Sequence, residues 1–295
     1  MIKSKTHLIF SLCLVLLGSR YSYSQDISGQ IKESKTGTPV TFVNIGIVGK
    51  DIGTVSNVIG NFTLDISDAT NQDTLRFSFI GFESINLSVE TIRSNGFTSP
   101  VLMEKKVFEL DEVFVESGKL VSETLGVRRK DGFPIPLYRR AKTDLPFPQQ
   151  SYRHEIGTLF KSDGPVYLDK VQINFSDNRI DTLDLRVNVY SLQGGEFRNV
   201  LKEPVYLQIT DSKNNRSPLL DLSKFNLFLE HDFLISIENY KRIPNNSVRI
   251  FANLKSKGRK FPTYYRSNSQ SDWTNLKVKS KDFGLSIQAH IKHDQ

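Results

Sequence analysis

Apolar and polar residues alternate along two long stretches of the chain, and both stretches read as β-strands. In the first, Val43, Ile45 and Ile47 alternate with Asn44 and Gly46, and Phe62, Leu64 and Ile66 alternate with Thr63 and Asp65. A period of two puts one set on an inner face and the other on an outer face. In the second stretch Leu183, Leu185, Val187 and Val189 alternate with Asp184, Arg186, Asn188 and Tyr190. Val205, Leu207 and Ile209 do the same with Tyr206 and Gln208, and Phe233, Ile235 and Ile237 with Leu234, Ser236 and Glu238. Phe283 to Ile291 repeats the pattern near the C-terminus. With Val171 to Phe175, Val248 to Phe251 and Trp273 to Val278, the second stretch holds about eight strands and no long helix, which predicts a β-sandwich or jelly roll.

Glycines punctuate the first stretch at turn-like places: Gly37 before Pro39, Gly53 in Asp51-Ile52-Gly53-Thr54, and Gly60 in Ile59-Gly60-Asn61. A residue without Cβ takes positive φ there at little cost. Together with Ser28-Gly29-Gln30-Ile31, Val43-Asn44-Ile45 and Phe77-Ser78-Phe79-Ile80-Gly81-Phe82, these residues resemble the carboxypeptidase regulatory-like domain, a small transthyretin-like β-sandwich, over residues 27–116. The resemblance implies a non-catalytic module that accompanies catalytic, receptor or adhesive partners in bacterial envelope proteins. Leu110 to Val115 is similar to the end of this module in TonB-dependent receptors, but the remaining length is too short for the strands of a transporter barrel. The C-terminal stretch, at Arg186 to Tyr190 and Asp221 to Asn226, resembles only uncharacterised exported bacterial β-sandwich proteins, a likeness that implies no activity.

The chain opens with Lys3 and Lys5, an apolar run from Leu8 to Leu17, and Ser22-Tyr23-Ser24. A basic start, a short apolar centre and small residues predict a secretory signal peptide over residues 1–24, cleaved after Ser24. The predicted organisation is therefore all-β: signal peptide 1–24, regulatory-like sandwich 25–116, linker 117–163 and second sandwich 164–295. The linker is expected from its basic and proline-rich composition, Arg128-Arg129-Lys130, Arg139-Arg140 and Pro134 to Pro148, and its length implies that part of it packs against one of the domains or forms a short helix near Val121 to Leu125. Cleavage removes Cys13, the only cysteine, and three basic residues, so the formal charge falls from +7 to +4. No disulfide or thiol chemistry is expected in the mature chain. An exported protein with so mild a charge is not expected to bind nucleic acid.

Motifs for chemistry are sparse. No His-Glu pair has the spacing of a zinc carboxypeptidase or of a helical zincin, and there is no Gly-x-Ser-x-Gly elbow, Ser-x-x-Lys or phosphate loop. His290 and His293 read as solvated residues near the chain end. Asp177, Asp181 and Asp184 offer hard oxygen atoms but lack the alternating spacing and glycine of a calcium loop. No metal or cofactor is expected. One aromatic and amide-rich stretch stands out: Tyr264, Tyr265 and Arg266, then Ser267, Ser269, Gln270 and Trp273. It fits recognition of a sugar or peptide by ring faces beside a guanidinium. It also fits a core in which Trp273 and one tyrosine are buried and Arg266 pairs with Glu238. The expectation is an exported, periplasmic or surface-associated, non-catalytic binding or assembly protein whose partner is an envelope protein or polysaccharide, with no membrane span after cleavage. A carbohydrate-binding accessory protein, or a hydrolase acting on envelope polymers, is the alternative.

Overall fold

The computed structural model describes residues 26–107, 119–136, 154–178, 182–210, 216–241, 248–255 and 259–294. The expected signal peptide lies outside them. Among the described residues no helix is long and apolar enough to cross a membrane.

The N-terminal sandwich contains β1 (Asp26–Glu33), β2 (Asn44–Ile47), β3 (Gly53–Val55), β4 (Asn61–Asp65), β5 (Thr74–Ser78), β6 (Ile85–Ser88) and β7 (Val101–Met103). One short helix, Val89–Asn95, joins β6 to β7. The strands form a three-stranded sheet, β4-β1-β7, and a four-stranded sheet, β3-β2-β5-β6. Ile31, Ile45, Ile47, Phe62, Leu64, Leu75 and Phe77 fill the space between them, as the alternation predicts. Gly60 has φ +75°, and a Cβ there would lie 2.5 Å from the Ile31 carbonyl oxygen, so turn and packing both require glycine. Gly53 serves a different purpose from the turn expected. It sits in β3 outside the positive-φ set, and the Asn268 side chain occupies the space where a Cβ would stand, 2.8 Å away.

The C-terminal region contributes β8 (Leu120–Gly126), β9 (Phe133–Pro136), β10 (Glu155–Phe160), β11 (Val166–Ile173), β12 (Phe175–Asn178) and β13 (Leu183–Gln193). It continues with β14 (Glu196–Asn199), β15 (Val205–Ile209), β16 (Leu219–Asp221), β17 (Leu227–Leu229), β18 (Phe233–Glu238) and β19 (Val248–Asn253). The last strands are β20 (Thr263–Arg266), β21 (Thr274–Val278), β22 (Lys281–Asp282), β23 (Gly284–Leu285) and β24 (Ile287–Asp294). The largest sheet runs β14-β13-β18-β10-β20-β21-β22, with β15 also paired to β13. A second runs β16-β11-β24-β8 and a third β12-β19-β23. The core between these sheets includes Phe160, Val187, Phe233, Ile235, Ile250, Leu285 and Ile287, and the Phe160 and Phe233 rings stack at 5.1 Å. The architecture is a many-stranded sandwich and no barrel closes.

The expected linker is the main departure from the sequence reading. Leu120 to Gly126 is not a helix but strand β8, paired with β24 over its whole length. Phe133–Pro136 pairs with β19. Glu155–Phe160 is a central strand between β18 and β20. All six residues of β10 are buried, because both faces of its sheet are covered, and Thr158 breaks the apolar stripe that Ile156 and Phe160 would otherwise form. β8 fails the reading for the opposite reason: it is an edge strand without a buried residue, so no apolar stripe marks it.

Candidate functional site

The inner face of the large sheet carries the core, and its other face carries a lateral row of four charged side chains. Register sets Arg186 opposite Glu238, Glu238 opposite Glu155, and Glu155 opposite Arg266, across the adjacent strands β13, β18, β10 and β20. The next row holds Asn188, Ser236, Gly157 and Tyr264, and the one beyond it Tyr190, Leu234 and Leu159. Period-two geometry delivers all of these to the face opposite Val187, Ile235, Ile237 and Ile156.

Two glutamates side by side on neighbouring strands repel, and an arginine at each end of the row offsets that repulsion. Arg266 donates to Glu155 through Nε at 2.8 Å and Nη2 at 2.5 Å. Glu155 also accepts from Asn188 at 2.7 Å, from the Tyr190 hydroxyl at 2.9 Å and from Ser236. Arg186 Nη1 donates to Glu238 Oε2 at 3.3 Å. The Asn188 amide bridges both carboxylates, reaching Glu238 at 3.2 Å. Glu155 is fully buried, and Arg186 and Glu238 are each 1% exposed. Burial by itself raises both carboxyl pKa values. At Glu155 the Arg266 guanidinium and the Ser236 and Asn188 hydrogen bonds outweigh it, so the pKa falls below the usual carboxylate value. At Glu238 burial prevails over the pull of Arg186, the Glu155 charge adds to it, and the pKa rises. Burial also lifts the Tyr190 phenol well above its ordinary value.

This face is buried because the N-terminal sandwich docks against it. Arg186 Nη2 donates to the Phe42 carbonyl oxygen at 2.7 Å, and its guanidinium lies over the Phe79, Tyr206 and Tyr240 rings at 5.3, 5.9 and 5.5 Å. Phe42 has φ +57°, a conformation rare for a bulky side chain, and its ring packs edge-on to Tyr240 at 4.7 Å. The loop after β20 makes a second set of contacts. Asn268 and Ser271 donate to the Lys50 carbonyl oxygen at 3.1 and 3.0 Å, Gln270 Nε2 donates to Ser78 at 2.7 Å, and Gly49 N donates to the Gln270 carbonyl at 2.9 Å. A Cβ at Gly46 would lie 2.8 Å from the Ile52 carbonyl oxygen of its own domain and 3.1 Å from the Gln270 side chain of this loop. β2 is thus buried on both faces, whereas its alternation predicts one open face.

Between the docked domains is a cleft of about 230 Å³, walled by Ser78, Phe79, Ile80 and Phe82 on one side and by Asn199, Leu201, Arg266 and Ser269 on the other. Asn44, Arg186, Asn188, Tyr190 and Glu238 also line it. Three buried polar atoms of these lining residues have no hydrogen-bond partner among the described residues: Asn44 Oδ1, Arg186 Nε and Glu238 Oε1.

The four residues nominated from the sequence divide between the two faces. Tyr264, Arg266 and Trp273 lie together on the docked face. Phe197 packs edge-on to Tyr264 at 5.2 Å and to Trp273 at 5.6 Å, and the Arg266 guanidinium sits 4.5 Å from the Trp273 ring centre. Tyr265 turns the other way and packs against the main core. Arg266 is no free surface residue: its side chain is 12% exposed and its ionic partner is Glu155, so the alternative pairing with Glu238 is also corrected. Its remaining Nη1 donates to the Ser269 carbonyl at 2.8 Å. Among the remaining candidates, Asp181 lies outside the described residues, while Asp184 accepts from Lys241 at 2.9 Å and Gln208 at 2.8 Å. His290 bonds Thr124, and His293 bonds the Asp294 carbonyl; an odd spacing on a strand sends them to opposite faces. Among the described residues no cluster of three or more His, Cys, Asp or Glu side chains is placed to hold a metal ion. The sequence reading missed Glu155, Arg186, Asn188 and Tyr190 as site residues. For Arg186, Asn188 and Tyr190 the only signal was a polar residue at every second position, which is also what a solvated face looks like, and Glu155 lies in a strand without even that.

Comparison with known proteins adds one family. Residues 27–115 match the family model described as the CarboxypepD_reg-like domain. No curated protein matches the chain. Among solved structures the chain is similar to one of the infectious bursal disease virus Gx strain, at 10% identity and TM-score 0.22, covering 90% of this chain and 65% of that one. It is similar also to one of the T13 viral particle of that virus, at 10% identity and TM-score 0.18, covering 91% and 62%. The chain thus spans slightly less than two thirds of those chains, and at such scores the likeness supports no argument. The matched segment coincides with the two-sheet unit that docks on the charged row, and residues 27–115 are a carboxypeptidase regulatory-like domain.

Proposed function

We propose that the protein is an exported component of the bacterial cell envelope, periplasmic or surface-associated, whose two β-sandwiches work as one non-catalytic binding or assembly unit. The observation that carries this reading is the docking itself. The regulatory-like domain lies over the Arg186-Glu238-Glu155-Arg266 row, and the groups with the strongest chemistry bond one another and the opposite domain. What the docking leaves at the surface is a cleft built by both domains, and a jointly built cleft suits binding. The export part of the proposal rests on the basic and apolar N-terminal residues and on the company such domains keep in envelope proteins.

A hydrolase is the second reading, favoured by adjacent carboxyls whose pKa values are displaced in opposite directions. Burial weighs against it. A two-carboxylate mechanism needs both groups at the substrate, whereas Glu155 is sealed and accepts hydrogen bonds at both oxygens. Affinity capture by the mature chain from solubilised envelope, with the captured component identified and then rebound in purified form, tests the binding reading. Turnover in a glycosidase and peptidase panel that disappears in Glu238→Gln would replace it with the hydrolase. A mature N-terminus at Gln25 is expected on the exported protein, and retention of Met1 on it would count against export by cleavage.

A further inference from the structure

Resting on the binding reading above, we propose that the interdomain cleft accommodates a single neutral pyranose ring, free or at the end of a glycan chain. Three observations lead there. First, both guanidiniums at the cleft are paired within the protein, Arg266 with Glu155 and Arg186 with Glu238, and Lys106 is the further cation of its lining. An anionic ligand would have to compete with two buried carboxylates for those guanidiniums, so they do not form an anion site. Second, the unpartnered atoms at the cleft are one donor, Arg186 Nε, and two acceptors, Glu238 Oε1 and Asn44 Oδ1. Vicinal hydroxyls both donate and accept, so one ring satisfies atoms of either kind. Third, the cleft is half apolar in character: Phe79, Ile80, Phe82 and Leu201 offer surfaces for the C–H face of a sugar, and Asn199 and Ser269 offer polar groups beside them. Its volume of about 230 Å³ has room for about seven waters or one such ring. The three unpartnered atoms are shut off from bulk water, so a ligand reaches them only where the lining side chains give way.

Trp273 is the only tryptophan in the chain, and it packs on Arg266 and beside Tyr190, both cleft residues. Its emission therefore reports on the site. The experiment titrates the full mature chain with glucose, N-acetylglucosamine and cellobiose, following Trp273 fluorescence and the heat of binding, with glutamate and glycylglycine as comparators. We expect a saturable response to at least one sugar with Kd near about 1 mM. Asn199→Ala, at an exposed wall position, should weaken it by about fivefold or more in a chain that still unfolds cooperatively despite losing the Asn199 bonds to Leu201 and Asn188, and Phe79→Ala should weaken it as well. Three results would each overturn the proposal: no saturation with any of the sugars, sugar binding unaltered in Asn199→Ala, or tighter binding of glutamate or glycylglycine. If the sugars fail while a purified envelope component still binds, the binding reading stands and only the sugar assignment falls.

Discussion

The two faces of β10, β13, β18 and β20 are equally buried and chemically opposite. On one face Ile156, Phe160, Val187, Phe233 and Ile235 pack into a continuous apolar core, where contacts need only fit in shape. On the other, Glu155, Arg186, Glu238 and Arg266 are held by specific hydrogen bonds, and the docked domain keeps water out. An apolar face loses stability in proportion to the volume removed. A buried ionic face loses it whenever one charge is left alone, and loses little when both members of a pair leave together.

The largest effects should test whether the two faces matter equally. Phe233→Ala on the core face is expected to cost about 3 to 5 kcal/mol, and Arg266→Ala on the docked face also about 3 to 5 kcal/mol, because Glu155 is left charged and unpaired. Urea unfolding measures both. Joint replacement of Glu155 by Leu and Arg266 by Met should recover most of the second loss, and an Arg266→Ala variant as stable as the parent would show that the docked face is open to water. The next effect in size is at Gly157, in the row beside the charged one on the docked face. A Cβ there would stand 2.5 Å from the Ile235 carbonyl oxygen, so Gly157→Ala should destabilise by about 1 to 3 kcal/mol through overpacking.

A smaller effect should separate the two ion pairs by pH. Glu155 has a lowered folded pKa, so its contribution is present above the ordinary carboxylate value and is lost as pH falls through the folded one. Glu238 has a raised folded pKa, so its contribution is greatest below the ordinary value and declines as pH rises through the folded one. Unfolding measured across that range should show Glu238→Gln gaining on the parent as pH rises above the ordinary carboxylate value. A constant difference between the two would mean that Glu238 titrates normally. The smallest change in stability is expected for Phe42→Gly. Relief of a positive-φ strain of about 1 to 3 kcal/mol opposes loss of ring contacts of about 0.5 to 1.5 kcal/mol. Melting should move little while small-angle scattering shows the domains parting, and a docked Phe42→Gly would assign docking to the 266–271 loop.

Strands β15 and β18 appear in the sequence with their observed boundaries, and β13 nearly so, because each keeps one uninterrupted apolar stripe. The regulatory-like domain was legible for the same reason and through its turn glycines. β8 and β10 were not, one for lack of any buried residue and the other because Thr158 interrupts its apolar stripe between Ile156 and Phe160. The nominated stretch is only partly brought together. Tyr264, Arg266 and Trp273 do meet, but Arg266 contributes to a buried network, and Ser267, Asn268, Gln270 and Ser271 contact the first domain.

By itself the sequence determined the all-β class, the two apolar cores and the family of residues 27–115, since periodicity and turn chemistry are local and need no knowledge of what lies across a sheet. The tertiary structure alone decided that the polar positions Arg186, Glu238, Glu155 and Arg266 form one buried row beneath a second domain. An alternating strand specifies which side chains share a face, but only the arrangement of strands and domains determines their cross-strand partners and whether water reaches them.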